Sequence, residues 1–186
     1  MRKLFFTWVL LAFSMGAKAQ MFAMGTDALA NALMAPNISL EMVTGERTTL
    51  GLHALATVKP WWEKDVKKVM VVQPEYRYFF SGRPMHKQFV GLAGVAGIYD
   101  LMWKGKVYDG MAGGIGLTFG YVFNLTDRFN IDCHAGFGAI FYKQKEYFEY
   151  DNYDADYSVK GKVRTNASGY FLLPTRIGVS LSYILK

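Results

Sequence analysis

Asp132 and His134 are two residues apart, so any β-strand that holds them puts both on one face. A carboxylate beside an imidazole is the minimal equipment for general acid–base catalysis or a proton path. Glu75 and Arg77 have the same spacing, and with Glu41, His53, Gln73 and Arg176 they complete a set of eight polar or charged residues. A catalytic reading of this set would use His134 with Asp132 or Glu75. No suitably placed Ser nucleophile accompanies them, so the sharper chemistry lacks a partner. A second group lies in residues 143–167, which contain EYFEYDNYDADYSVKGKVR. Its Tyr147, Tyr150, Tyr153 and Tyr157, and Trp61 and Trp62 elsewhere, suit a contact surface, since such rings offer amphipathic area at low entropic cost. Glu149, Asp151, Asp154 and Asp156 lack the Asp-x-Asp-x-Asp-Gly spacing of a calcium loop, and neither metal nor cofactor is expected.

The elements that must position these residues are strands. Residues 111–142 read MAGGIGLTFGYVFNLTDRFNIDCHAGFGAIFY. Met111, Ile115, Leu117, Phe119, Tyr121 and Phe123 alternate with Gly and Thr. After the turn residues 124–127, Phe129, Ile131, Cys133, Phe137 and Phe141 alternate with Asn130, Asp132, His134 and Gly. Period two, twice, around a short turn predicts a long β-hairpin with bulky residues on one side and small or polar ones on the other. Six more segments are strand-like: 22–29, 38–42, 48–58, 68–80, 87–99 and 168–185. Residues 27–34 read equally well as a helical turn. The two faces of 87–99 separate poorly and leave its orientation open. Residues 100–109 read as a loop, and 143–167 as a longer charged one.

That gives eight strands, mostly longer than the roughly 9–11 residues of a tilted transmembrane strand. Connections after the second, fourth and sixth are short, and those after the third, fifth and seventh longer and polar. Outer-membrane barrels alternate in this way. The eight polar residues fall on the small or polar faces, where a barrel interior would hold them. A Lys or Arg on the lipid face would instead cost roughly 2–4 kcal/mol at mid-depth. The expected fold is an all-β, eight-stranded antiparallel transmembrane barrel. Its narrow lumen lets the charged set pair internally as a plug.

The start of the chain agrees. Arg2 and Lys3, an apolar run over 4–13 and Ala17-Lys18-Ala19 make a secretory signal peptide over residues 1–19, leaving 20–186 as one barrel domain. The formal charge of +6 falls by three when Arg2, Lys3 and Lys18 are removed, and nucleic acid is not an expected partner. The single Cys permits no internal disulfide, and Cys133 reads as a small hydrophobe. With 52% hydrophobic residues and 19 Gly in period-two segments, a secreted chain is either a soluble sandwich or a membrane barrel, and the loop alternation favours the barrel. The expected location is the outer membrane of a Gram-negative cell, with both mature termini periplasmic.

Residues 36–41 (PNISLE), 73–78 (QPEYRY), the Gly-rich strand 110–121 and 174–183 (PTRIGVSLSY) resemble, in order, a Bacteroidetes family known as domain of unknown function 3575. Phe79-Phe80, where a Trp is usual, and the acidic insertion at 143–167 depart from its pattern. The resemblance implies a small outer-membrane barrel, with some members encoded beside fimbrial assembly genes, and implies no activity. The resulting expectation is a structural or interaction component of the cell surface, in contact with outer-membrane lipid and a surface or fimbrial protein. The alternative is a lipid- or glycan-modifying enzyme with a His/acid site.

Overall fold

In the computed structural model, residues 21–58, 65–151, 158–159, 162–163 and 165–185 are described. The expected signal peptide, Trp61, Trp62, Tyr153 and Tyr157 lie outside them. The elements run β1 (Phe22–Asp27), α1 (Ala28–Ala32), β2 (Asn37–Val43), β3 (Thr48–Val58), β4 (Val66–Phe79), β5 (Lys87–Trp103), β6 (Lys106–Asn124), β7 (Phe129–Phe148), β8 (Ser158–Val159), β9 (Lys162–Val163) and β10 (Ala167–Leu185). Eight of the strands close on themselves in the order β1-β10-β7-β6-β5-β4-β3-β2, every neighbouring pair antiparallel. β8 and β9 pair only with each other, inside the connection between β7 and β10. Among the described residues no helix is long and apolar enough to cross a membrane.

Closure turns the alternation of each strand into an inside and an outside. Outward-facing Ile115, Leu117, Phe119, Phe137, Phe141, Ile177 and Leu92 are all more than half exposed, whereas inward-facing Thr118, Asn130, Asp132 and His134 are buried. The polarity of a soluble protein is thereby inverted. On β6 the outward apolar run extends from Met111 to Phe123. At about 3.3 Å per residue and a tilt near 40°, those residues cover about 30 Å along the barrel axis.

Several elements differ from what periodicity suggested. The predicted loop 100–109 is strand almost throughout: β5 and β6 pair from Lys87↔Val122 to Trp103↔Lys106, and only Lys104 (φ 52°) and Gly105 (φ 77°) turn the chain. Two consecutive positive φ values are the requirement of a type I′ hairpin, which glycine meets at no steric cost. Likewise β7 continues to Phe148, so the start of the predicted 143–167 loop belongs to the wall. The strand predicted over 22–29 stops at Asp27, which caps α1 by accepting a hydrogen bond from Ala30 N at 3.1 Å. The orientation of 87–99 is resolved by Phe89, Gly91 and Ala93 facing in and Val90, Leu92 and Ile98 facing out. Its faces separate poorly because the inward side carries a large aromatic ring.

The short-turn end of the barrel is closed by apolar residues. Phe79, Phe89 and Val122 form one buried cluster, and Met85, from the turn after β4, folds beneath the lumen against Ala23 and Ile184. Asn124 Nδ2 donates to Met85 O at 3.1 Å and secures it.

Candidate functional site

Above this apolar floor, β2, β3, β4, β7 and β10 deliver all eight predicted interior residues into the lumen. Arg77 is the centre. Only 1% exposed, its guanidinium lies 2.7 Å from Asp132 Oδ2, 3.0 Å from Glu75 Oε2 and 3.4 Å from Glu41 Oε2. Its remaining face stacks over the Phe89 ring, 4.3 Å from the centroid, so the cation rests on the aromatic floor.

Glu75 joins the two halves of the network. Its Oε1 accepts a hydrogen bond from Thr118, and its Oε2 lies 3.3 Å from both Arg176 Nη1 and His53 Nε2. Glu41 Oε1 accepts from Thr49 Oγ1. The adjacent strand is thinned to make room, Gly91 of β5 being the register partner of Arg77. A Cβ on Gly91 would collide with Thr118 Oγ1 and sit 2.9 Å from Glu75 Oε1.

His134 lies between two carboxylates, with Nδ1 3.5 Å from Asp132 Oδ1 and Nε2 3.3 Å from Asp27 Oδ2. The catalytic combination of His134 with Glu75 does not form, because Glu75 is taken by Arg77, Arg176, Thr118 and His53. Ser180 Oγ donates to Asp27 Oδ2 at 3.4 Å rather than to the imidazole. With a carboxylate facing each ring nitrogen, His134 has no nitrogen directed at a nucleophile. The geometry is that of an imidazole set between two carboxylates at ion-pair distance, with neither nitrogen in a hydrogen bond, and not that of a nucleophile–base pair. Gly178 permits this arrangement: a Cβ there would occupy the place of Asp27 Oδ2 and lie 2.7 Å from His134 Nε2.

Asp27, Thr49, Phe89, Thr118 and Ser180 were missed by sequence reasoning. Thr49 and Thr118 were legible as polar residues on inward faces. Asp27 reads as a helix cap, and only the pairing Asp27↔Ser180 brings it to His134. Gln73 is buried as expected, but its Nε2 has no hydrogen-bond partner. Of the predicted contact tyrosines, Tyr147 is on β7 and partly buried, while Tyr150 just beyond it is 95% exposed.

An inverted-polarity closed barrel whose interior charges pair with one another defines a small, ion-plugged β-barrel. The particular family follows from the sequence: the chain belongs to the one described as "Protein of unknown function (DUF3575)", whose profile matches residues 5–185. No curated protein and no solved structure matches it.

Proposed function

We propose that the protein is an outer-membrane barrel acting as a structural or interaction component of the cell surface, with both termini on the periplasmic side. The observation that carries this reading is the outward apolar face. An outward face of half-exposed Leu, Ile, Phe and Met, about 30 Å tall on β6, is a severe liability in water and the normal surface of a protein in lipid. The interior supports the same reading. Three carboxylates around one arginine, with an apolar floor beneath, seal the lumen rather than open a pore. Contacts with a partner then fall to the connection between β7 and β10, where Tyr150 projects. A fimbrial component is the partner class implied by the family resemblance. The enzyme alternative is not favoured by His134, whose ring nitrogens face Asp27 and Asp132 rather than a hydroxyl.

Cell fractionation combined with gel mobility tests the reading. The unheated protein should appear in the outer-membrane fraction and migrate faster than the boiled form, because a closed barrel resists detergent. A soluble periplasmic protein with a single mobility would overturn it.

A further inference from the structure

One seam of the barrel wall differs from the others. β1 has only six residues and pairs with β10 no higher than Asp27↔Ser180, and with β2 no higher than Gly25↔Ser39. Above that level, β10 from Ala167 to Val179 pairs with β7 on one side, and among the described residues no strand pairs with its other side. α1 leaves the wall at this point, and its Ala30 lies over the opening. The free stretch of β10 has the marks of an edge. Tyr170, Phe171 and Leu172 are each more than half exposed although successive residues point to opposite faces. Pro174, which has no N–H to offer, is followed by a bulge between Pro174 and Arg176.

Behind the seam is a cavity of about 220 Å³, lined by Asp27, His53, Gln73, Thr175, Arg176 and Ser180 among others. Outside it, an apolar hollow of about 470 Å³ runs over Pro36, Ala56, Met70 and Val72. The cavity reaches the exposed Ile38 on β2 and Ile177 on β10, so it opens through the seam, and the hollow adjoins it at Asn37 and Ile38. Gln73, 95% buried, presents an unpartnered Nε2 there, and the buried Thr175 Oγ1 is also without a partner. The acceptors are already used: Asp27 receives Ala30 N and Ser180 Oγ. A hydrogen-bond acceptor placed there would satisfy both Gln73 Nε2 and Thr175 Oγ1. The pocket offers an anionic head group no uncompensated cation, because Arg176 is already paired with Glu75 and the Asp27 carboxylate lies in the same lining.

We propose that this seam is a lateral binding site for a single-chain amphiphile with an uncharged, acceptor-bearing head group. The head reaches Gln73 and Thr175, and the acyl chain lies in the hollow over Ala54 and Val72. The inference rests on the membrane reading above. α1 packs against β10 without pairing with it, and in hydrocarbon a strand edge with no ladder partner needs its backbone polar groups satisfied by other means, so an occupant at this level also meets a need of the wall itself.

The test uses the mature chain refolded in phosphatidylcholine vesicles, with a monoacylglycerol carrying a photoreactive diazirine in its acyl chain as probe. Labelling mapped by mass spectrometry should concentrate on β2, β3 and β4 around Ile38, Ala54 and Val72. Excess unlabelled monoacylglycerol should compete, and the corresponding fatty acid should compete at least tenfold less well. Ala54→Trp, which fills the hollow from the outer face, and Gln73→Leu, which removes the head-group donor, should each lower labelling there about tenfold. An inserted, heat-modifiable barrel labelled evenly around its outer wall, or labelled equally in both variants, overturns the lateral site alone. A chain that does not enter vesicles overturns the site and the membrane reading together. Competition by a peptide strand but not by monoacylglycerol assigns the edge to a protein partner and also overturns the proposal.

Discussion

Replacing Arg77 by Met keeps the length of the side chain and removes the charge at the centre of the lumen. Three carboxylates then lose their nearest cation. Asp132 is left with His134 at 3.5 Å, Glu41 with Thr49, and Glu75 with Arg176, His53 and Thr118. Breaking a buried ion pair by removing one partner costs about 3–5 kcal/mol. The stacked Phe89 contact is part of the same loss and is not added separately. Taking about 4 kcal/mol, and about 2 kcal/mol per molar urea for a domain of this size, the unfolding midpoint in vesicles should fall by about 2 M. Arg176→Met should cost less than half of that, because among the described residues Arg176 pairs with one carboxylate, Glu75 at 3.3 Å, and its side chain retains 11% exposure. Adding Asp132→Asn to Arg77→Met should recover part of the loss, since one of the uncompensated charges disappears with it. The assay is equilibrium urea unfolding followed by tryptophan fluorescence, with heat-modifiable mobility to confirm insertion. A midpoint shift below about 0.5 M for Arg77→Met, or a larger one for Arg176→Met, would refute the view that Arg77 holds the plug together.

Gly178→Ala should destabilise by about 1–3 kcal/mol, the usual cost of overpacking, because its Cβ displaces Asp27 from His134. Gly113→Ala serves as the control, since its nearest neighbour would be Val95 O at an ordinary 3.6 Å, and it should leave the melting temperature nearly unchanged. Gly105→Val forces a β-branched residue into the φ 77° position of the β5–β6 turn, and hydrogen exchange at that tip should accelerate by about tenfold or more. Beyond the apolar band, Lys106 beside Glu146 holds that carboxyl below its ordinary value of 4.5. A carboxylate depressed in the folded state stabilises fully above pH ~4.5 and loses that contribution as pH falls through the folded value. Amide protection factors, corrected for intrinsic exchange, should therefore fall below pH 4 where β6 and β7 pair around Lys106 and Glu146, and Glu146→Gln should abolish the change.

The barrel was legible because closure leaves a period-two signature along every strand. The hairpin from Met111 to Phe141 carried it without interruption, and the interior residues followed from the same alternation. The signal failed where something other than burial decided the conformation. Residues 100–109 are strand because a two-residue turn at Lys104-Gly105 lets β5 and β6 run past the apolar band, where solvent on both sides removes the alternation. β5 hid its orientation because Phe89 turns inward to support Arg77, so a bulky residue occupies the face that elsewhere holds small ones. Asp27 was invisible as a luminal group because its partners His134 and Ser180 are more than a hundred residues away. The seam between β1 and β10 is a matter of unequal strand length, which local patterning cannot report.

The central claim, that the outer wall faces lipid, can be tested at Cys133, the single cysteine of the chain, which lies on β7 with its side chain on the apolar outer face. In the native protein reconstituted in vesicles, Cys133 should resist a membrane-impermeant maleimide and react once the barrel is unfolded. A bimane attached there should be quenched by brominated acyl chains. Rapid labelling of the folded protein by the impermeant reagent, with no quenching by brominated lipid, would contradict the account.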